Sequence, residues 1–379
     1  MTQHKPPQAM TLFDLLARTW ALPGEVRDVI FNATGSSLAV LLADGRLAFI
    51  SVKDAEHPES RVRIEADTGR TSIRPRTKPL PAPVVSDAAV ARADVTPCRL
   101  GDQGFAFSNA DTNALWRATA RGQTLAVNGA RNEEAVTALA AIPRTGRIVL
   151  AYDNRLALVA EDGGAEFATA ELSHGVSRIA VSDDGCVLGC LGADQISIVA
   201  SDDLKSTSTF ACEGEVLDLG WSPCKRWLVA GCANKTVLLI DVQAGVSDRI
   251  VDFPDAVRTI GFSDKARAMI ASGAFRVVGW SLPDLPFGDD EGSAIETGKP
   301  GLTLVDLVAV HPKRDLCAVS YANGLVMICR IGHPDEMLLC EGSGATVNSL
   351  TWSDDGAHLA IGGRDGSVSI ATFPKNMFK

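Results

Sequence analysis

Residues 216–240, VLDLGWSPCKRWLVAGCANKTVLLI, lie over residues 347–370, VNSLTWSDDGAHLAIGGRDGSVSI, without a gap. Both follow one template. A valine is followed by an aliphatic residue at the third place and an aromatic at the fifth, then a small polar pair, an apolar run, an Asp/Asn/Gly turn and a second apolar run. Trp221 and Trp352 occupy the same place in the two copies, so they read as packing residues rather than as a stacking platform. The template returns from Val26, Val176 and Val257. It fits with small adjustments from Val136 and Val305, and a degraded copy begins at Val90.

The eight starts are separated by 64, 46, 40, 40, 41, 48 and 42 residues. Within each copy, β-rich runs are broken by turn pairs such as Asp44-Gly45, Asp153-Asn154, Asn323-Gly324 and Asp365-Gly366. These residues tolerate the positive φ of tight hairpins, so each copy is expected to be an antiparallel meander. A period near 40 residues is the signature of a β-propeller blade. The fold class expected is therefore all-β, a closed β-propeller of four-stranded antiparallel blades, with eight blades preferred and seven the alternative. The segment TWALPGEV (19–26) mirrors TFACEGEV (209–216), where the first residues form the outer strand of a preceding blade. Residues 19–22 have no blade before them, so they are expected to complete the last blade and remove its open edge.

This pattern resembles the WD-repeat family of β-propellers over roughly residues 16–374. The resemblance rests on the V-x-x-[IL]-x-[FW]-S start, the Asp/Asn turn and the final apolar strand, most clearly in GWSPCKRWLVAGCANKTVLLIDV. The family's Gly-His pair is mostly absent, and its terminal Trp-Asp survives only as Ile240-Asp241 or Trp280-Ser281. The resemblance implies a rigid platform that presents binding surfaces to other proteins. The organisation expected is a tail or short helix over 1–15, one propeller over 16–374 and a tail over 375–379. TLFDLL holds a capping box, Thr11 with Asp14, that predicts the helix. The tail is expected to expose Met377 and Phe378.

With 379 residues, 46% of them apolar, the chain can bury a large core. Its formal net charge of -10 argues against a general binder of nucleic acid or of anionic membranes, which must neutralise phosphates. No apolar run is long enough to cross a bilayer, and no basic leader opens the chain, so a cytoplasmic protein is expected. Arginines outnumber lysines 25 to 11, which points to a bacterial source.

Nine scattered cysteines do not make a disulfide framework. Cys224 and Cys232 should lie roughly 25 Å apart at opposite ends of a strand, and Cys186 and Cys190 roughly 13 Å apart along one. Neither pair can share a zinc ion. Buried, reduced thiols and no transition metal are expected. The histidines show no paired ligand spacing, and His174 reads as structural. No nucleophile elbow, phosphate loop or dinucleotide fingerprint occurs. The positions after each starting valine read Arg27, Ala91, Thr137, Ser177, Leu217, Arg258, Asp306 and Asn348, too mixed for a metal cage. No cofactor is expected.

Two insertions interrupt the period. Residues 53–89 carry Arg70, Arg74, Arg76 and Lys78 with no acid from 68 to 86, and prolines at 75, 79, 81 and 83 keep the segment extended. Residues 283–303 gather Asp284, Asp289, Asp290, Glu291 and Glu296. A basic arm on an acidic body is expected to meet a partner, and replacing its four cations should leave the fold intact. Arg27 and Arg258 are expected to mark an anion or acidic-peptide site at the channel mouth. The function expected is a non-catalytic protein-interaction scaffold or complex subunit. The alternatives are an enzyme or ligand binder using the channel and, less favoured, nucleic-acid binding through the arm. The expected partner-binding residues are Arg70, Arg74, Arg76, Lys78, Asp289, Asp290, Glu291, Arg27 and Arg258.

Overall fold

Each Asp/Asn-Gly pair closes a hairpin, and the hairpins assemble into a ring. The computed structural model describes residues 11–64, 67, 71–127, 134–163 and 166–378. Among the described residues there are eight four-stranded antiparallel sheets and one small hairpin, Val62–Ile64 with Thr71–Ile73. The first strands of the sheets are Val26–Phe31, Cys98–Leu100, Ala138–Ile142, Arg178–Val181, Val216–Trp221, Ile260–Ser263, Val305–Val310 and Val347–Trp352. Each contacts the next, and the eighth returns to the first, so these strands line a central channel. The ring has eight blades.

Blades pack face against face, which is why second and third strands are apolar on both sides. Trp227–Cys232 is buried throughout, whereas the outer strand Ser206–Ala211 is mostly exposed. The core lies between blades. Trp221 Nε1 donates to the carbonyl of Ala180 at 3.1 Å, and Trp352 Nε1 to that of Ala309 at 3.1 Å. Both acceptors hold the fourth place after their own blade's starting valine, so the repeated tryptophan ties the fifth and the eighth blade each to the one before it. The small polar residue that follows caps the next turn: Ser222 Oγ accepts from the Trp227 N–H and Ser353 Oγ from the His358 N–H, each at 3.0 Å.

Closure occurs as the mirrored segments imply. Ala17–Ala21 pairs antiparallel with Ser367–Thr372 and supplies the eighth blade's outer strand. The mirror extends to side chains. Thr19 Oγ1 lies 2.7 Å from Ser369 Oγ, and its counterpart Thr209 Oγ1 lies 3.0 Å from Ser197 Oγ. The Leu22 N–H donates to the carbonyl of Gly366, whose φ of +81° and approach to the Leu22 and Gly24 carbonyls leave no space for a side chain.

Three expectations need correction. In the second blade the first strand starts at Cys98 rather than near Val90, and Ala91 is buried and forms an isolated bridge to Asn109. Cys186 and Cys224 are exposed in turns and Cys340 is half-buried, so only six thiols fill the core. Met377 and Phe378 are not left bare: Phe378 stacks on Phe373 at 5.1 Å, and Arg314 donates to its carbonyl. The helix expected from the capping box forms at Leu12–Leu16 (α1), with Thr11 and Asp14 closing both bonds of the box, and it packs against the seventh blade's outer strand.

Candidate functional site

In the first seven blades the chain passes from the third to the fourth strand on one face of the ring, here the lower face. Both insertions are such connections, one between Leu47–Ser51 and Val84–Val85, the other between Val277–Ser281 and Ala294–Thr297. The last blade's third strand also ends there, so the chain's final residues emerge on the same face. A second short helix, Pro58–Arg61 (α2), opens with His57 as its cap.

A charged cluster roots the first insertion. Arg76 grips Asp54 with two bonds, Nη1 to Oδ1 at 2.7 Å and Nη2 to Oδ2 at 2.5 Å. Glu56 accepts from the Lys78 N–H at 2.6 Å, the Thr77 N–H at 2.9 Å and Thr77 Oγ1 at 2.7 Å. Burial by itself would raise the Asp54 carboxyl, but the Arg76 bond and further donors hold it at about 2. Glu56 is likewise held at about 2 by the Lys78 and Thr77 donors. Arg61, buried, donates to the carbonyls of Glu56, Arg74 and Leu15. Arg18, 2% exposed, reaches from the closing strand to the Val52 carbonyl at 2.7 Å and lies 3.9 Å from Asp54. The Lys375 N–H donates to Glu59 Oε1 at 3.0 Å. Insertion, helices and chain end thus form one platform.

The four basic positions therefore separate. Arg76 is a structural rivet, and the expectation that all four can be replaced without harm is corrected, because Asp54 would be left buried with only the more distant Arg18 beside it. Arg74 is 46% exposed and 3.8 Å from Glu56, and the Lys78 side chain is exposed. Arg70 lies outside the described residues. The prolines serve the sheet edge: Trp20 Nε1 donates to the Pro81 carbonyl at 2.8 Å and Leu80 packs into the first blade's core, covering a strand that Val84–Val85 pairs with only briefly.

The acidic loop is also anchored. Leu285 is buried, Phe287 meets Trp227 at 5.5 Å, and the Gly288 N–H donates to Asp248 at 2.6 Å. Asp289, Asp290 and Glu291 remain exposed at its tip.

At the channel, β-bulges between Val26 and Asp28, Val216 and Asp218, Val305 and Leu307, and Val347 and Ser349 push the residue after the valine out of the ladder. The following position then bonds to the next blade. Asp218 accepts from the Ile260 N–H at 2.9 Å, Thr259 from the Val308 N–H at 2.6 Å and Ser349 from the Val29 N–H at 3.1 Å. Arg258 is answered by Asp306 at 2.9 Å, so it does not join Arg27, which is exposed, as a free cation. Arg178, missed in the sequence, lies 3.7 Å from Asp218 and donates to the Leu217 carbonyl. Burial raises the carboxyls of both Asp28 and Asp218. His174 is structural, its Nε2 2.8 Å from Ser197 Oγ. Among the described residues no group of three or more His, Cys, Asp or Glu side chains is placed to hold a metal ion, and no helix is long and apolar enough to cross a membrane.

Residues 308–376 match the WD40 domain of anaphase-promoting complex subunit 4, and residues 204–241 match the WD domain, G-beta repeat. No curated protein matches the chain. The crystal structure of the computationally designed Ika8 protein is similar with a TM-score of 0.64 at 14% identity, over 93% of this chain and 98% of that one, a likeness of fold alone. Period, blade geometry, the closing strand and the matched repeats together make this chain a WD-repeat β-propeller.

Proposed function

We propose that this propeller is a non-catalytic scaffold in a cytoplasmic multiprotein complex and that its lower-face platform docks an acidic region of another protein. One observation carries the reading. Buried ion pairs and backbone bonds fold the first insertion against the chain end, yet Arg74 and Lys78 are left pointing to solvent. Such a platform is not needed to close the ring, which Ala17–Ala21 already does. The polar groups along the channel are engaged in joining blades, which supports a structural channel rather than a catalytic one. The match to a domain of a complex subunit agrees with this role. Arg70, the exposed acids Asp289, Asp290 and Glu291, and Arg27 are proposed as further partner contacts.

The test keeps Arg76. A tagged chain with Arg70, Arg74 and Lys78 replaced by serine is compared with wild type by affinity purification from the native host and mass spectrometry. Folding should be unchanged, recovery of partners should fall, and wild-type recovery should weaken as salt rises. Equal recovery at low salt would remove the platform from the interface.

A further inference from the structure

The outer strands form the rim of the ring, and each leaves one edge of its sheet unpaired. An unpaired edge is a template for another strand, and proteins blunt it with charge, brevity or cover. Among the described residues, Val84–Val85 and Thr124–Ala126 are two and three residues long. Ala17–Ala21, Glu166–Glu171, Val246–Ile250, Ala294–Thr297 and Glu336–Cys340 each carry a charged residue. The fourth blade's outer strand, Ser206–Ala211 (STSTFA), has neither device, and Thr207, Thr209 and Ala211 are exposed on it. Its register fixes which groups are free. The Cys212 N–H donates to the Asp194 carbonyl at 2.7 Å, continuing a ladder in which Ile196 faces Phe210 and Ser197 faces Thr209. Bonded and non-bonded pairs alternate along an antiparallel ladder, so Phe210 bonds inward while Thr209 and Ala211 turn their N–H and carbonyl groups to solvent. A register shift between Ile198 and Val199 breaks the ladder near Ser206 and limits the regular template to residues 208–211. Phe210, buried between the fourth and fifth blades, and Thr209 Oγ1, 3.0 Å from Ser197 Oγ, hold this stretch in place, so little ordering entropy remains to be lost on its side.

What the edge offers states the partner's chemistry. Its free groups are main-chain donors and acceptors, which an extended backbone matches. The charged residues that flank the strand are answered within the chain, Lys205 by Asp203 at 2.7 Å and Glu213 by Arg249 at 2.5 Å, so charge does not select the occupant. Small and β-branched side chains suit the places opposite Thr209 and Ala211. A second copy fits poorly. Two rigid rings meeting edge to edge bury little beyond the strands themselves, short of the roughly 1,200 Å² that a stable pairing needs, and each carries a net charge of -10. A free segment can lie along the edge without bringing a second ring with it.

We infer that residues 208–211 take an extended, uncharged segment of another protein as a fifth strand of the fourth blade, joined through the main-chain groups of Thr209 and Ala211. This rests on the scaffold reading above but uses the rim rather than the lower face.

A phage-displayed library of random peptides is selected against the full chain, and enriched peptides are measured on wild type, on Ala211→Pro, on Ala211→Lys and on the Arg74→Ser, Lys78→Ser variant. Ala211→Pro deletes an outward N–H and no ladder bond, while Ala211→Lys adds the kind of charge that other rim strands carry. Enriched peptides should have an uncharged centre rich in Thr, Val or Ile, and their affinity should change little with salt. They should bind Ala211→Pro at least about tenfold more weakly and the lower-face variant normally. N-methylation of the peptide at alternate residues should abolish binding in one phase and spare it in the other, because only every second N–H faces the ring. Unchanged melting temperature checks that Ala211→Pro is folded, and should it melt lower, Ala211→Lys gives the same reading. Failure to enrich, a charged consensus, equal affinity for the Ala211 variants, or indifference to N-methylation in both phases would each overturn the inference. So would a dimer in sedimentation that the Ala211 variants abolish, which would make the occupant a second copy. Loss of binding on the lower-face variant alone would support the platform and sink this site.

Discussion

Asp54 and Glu56 show what one residue decides here. Both carboxyls sit near 2, below their ordinary 3.8 and 4.5, because Arg76 and the Thr77 and Lys78 donors favour the charged form. Their contribution is complete above about pH 4.5 and is lost as pH falls toward 2. His358 acts in the same corner with an earlier window. Burial brings its imidazole down to about 4 from 6.5, so the stability it confers as a neutral ring is lost as pH falls from 6.5 to 4. Protection from hydrogen exchange over Thr71–Ile73, taken relative to the intrinsic rate at each pH, should therefore fall in two stages on acidification, and His358→Gln should abolish the first. Arg76→Ala should cost the platform about 3 kcal/mol at neutral pH, read by the same exchange, whereas Arg74→Ala should change it by less than about 0.5 kcal/mol. Spacing alone could not separate the two arginines. Asp54, 22 positions from Arg76, becomes its neighbour only when the insertion folds back.

At the scale of elements, the strand that precedes the first blade has the largest effect for its length. The strand and the residues that flank it bury Leu16, Trp20 and Leu22 against the last blade and the first, and Arg18 reaches the Val52 carbonyl. Deleting residues 1–22 should remove about 5 kcal/mol or more of apolar burial and bare the edge of Ser367–Thr372. The expected result is aggregation or a large fall in melting temperature by calorimetry; a soluble variant with wild-type melting would defeat this account of closure. That strand was legible because its sequence copies an internal outer strand. The second blade was misplaced because its entry carries extra residues, and burial of Val95 and Ala91, rather than a ladder, makes them look like strand. The channel was misread by one position, since a bulge changes which side chain meets the next blade.

For the whole molecule, a ring closed by its first strand should open as a unit, because each inter-blade core needs both neighbours. The thiols report on this. Cys186 and Cys224 are exposed, while Cys98, Cys190, Cys212, Cys232, Cys317 and Cys329 are buried in blades around the ring. Burial pushes Cys98, Cys190 and Cys329 up to about 12, where almost no thiolate exists at neutral pH. Titration of the native protein with a disulfide reagent should give two fast groups. Cys340 should follow more slowly, and the six core thiols should react together at the rate of global unfolding. A core thiol reacting on its own would reveal a blade that opens independently.

The sequence by itself determined the blade repeat, the order of the blades and the closure of the ring, and left eight blades preferred over seven, because the period and the strand pattern are local and recur along the chain. Only the tertiary structure decided which charges are free. Whether Arg76 docks a partner or rivets an insertion, whether Arg258 stands alone or faces Asp306, and whether the rim strand Ser206–Ala211 is covered or bare depend on which segments meet across the ring. Ion pairs and exposure are properties of neighbours distant in sequence, and no spacing along the chain encodes them.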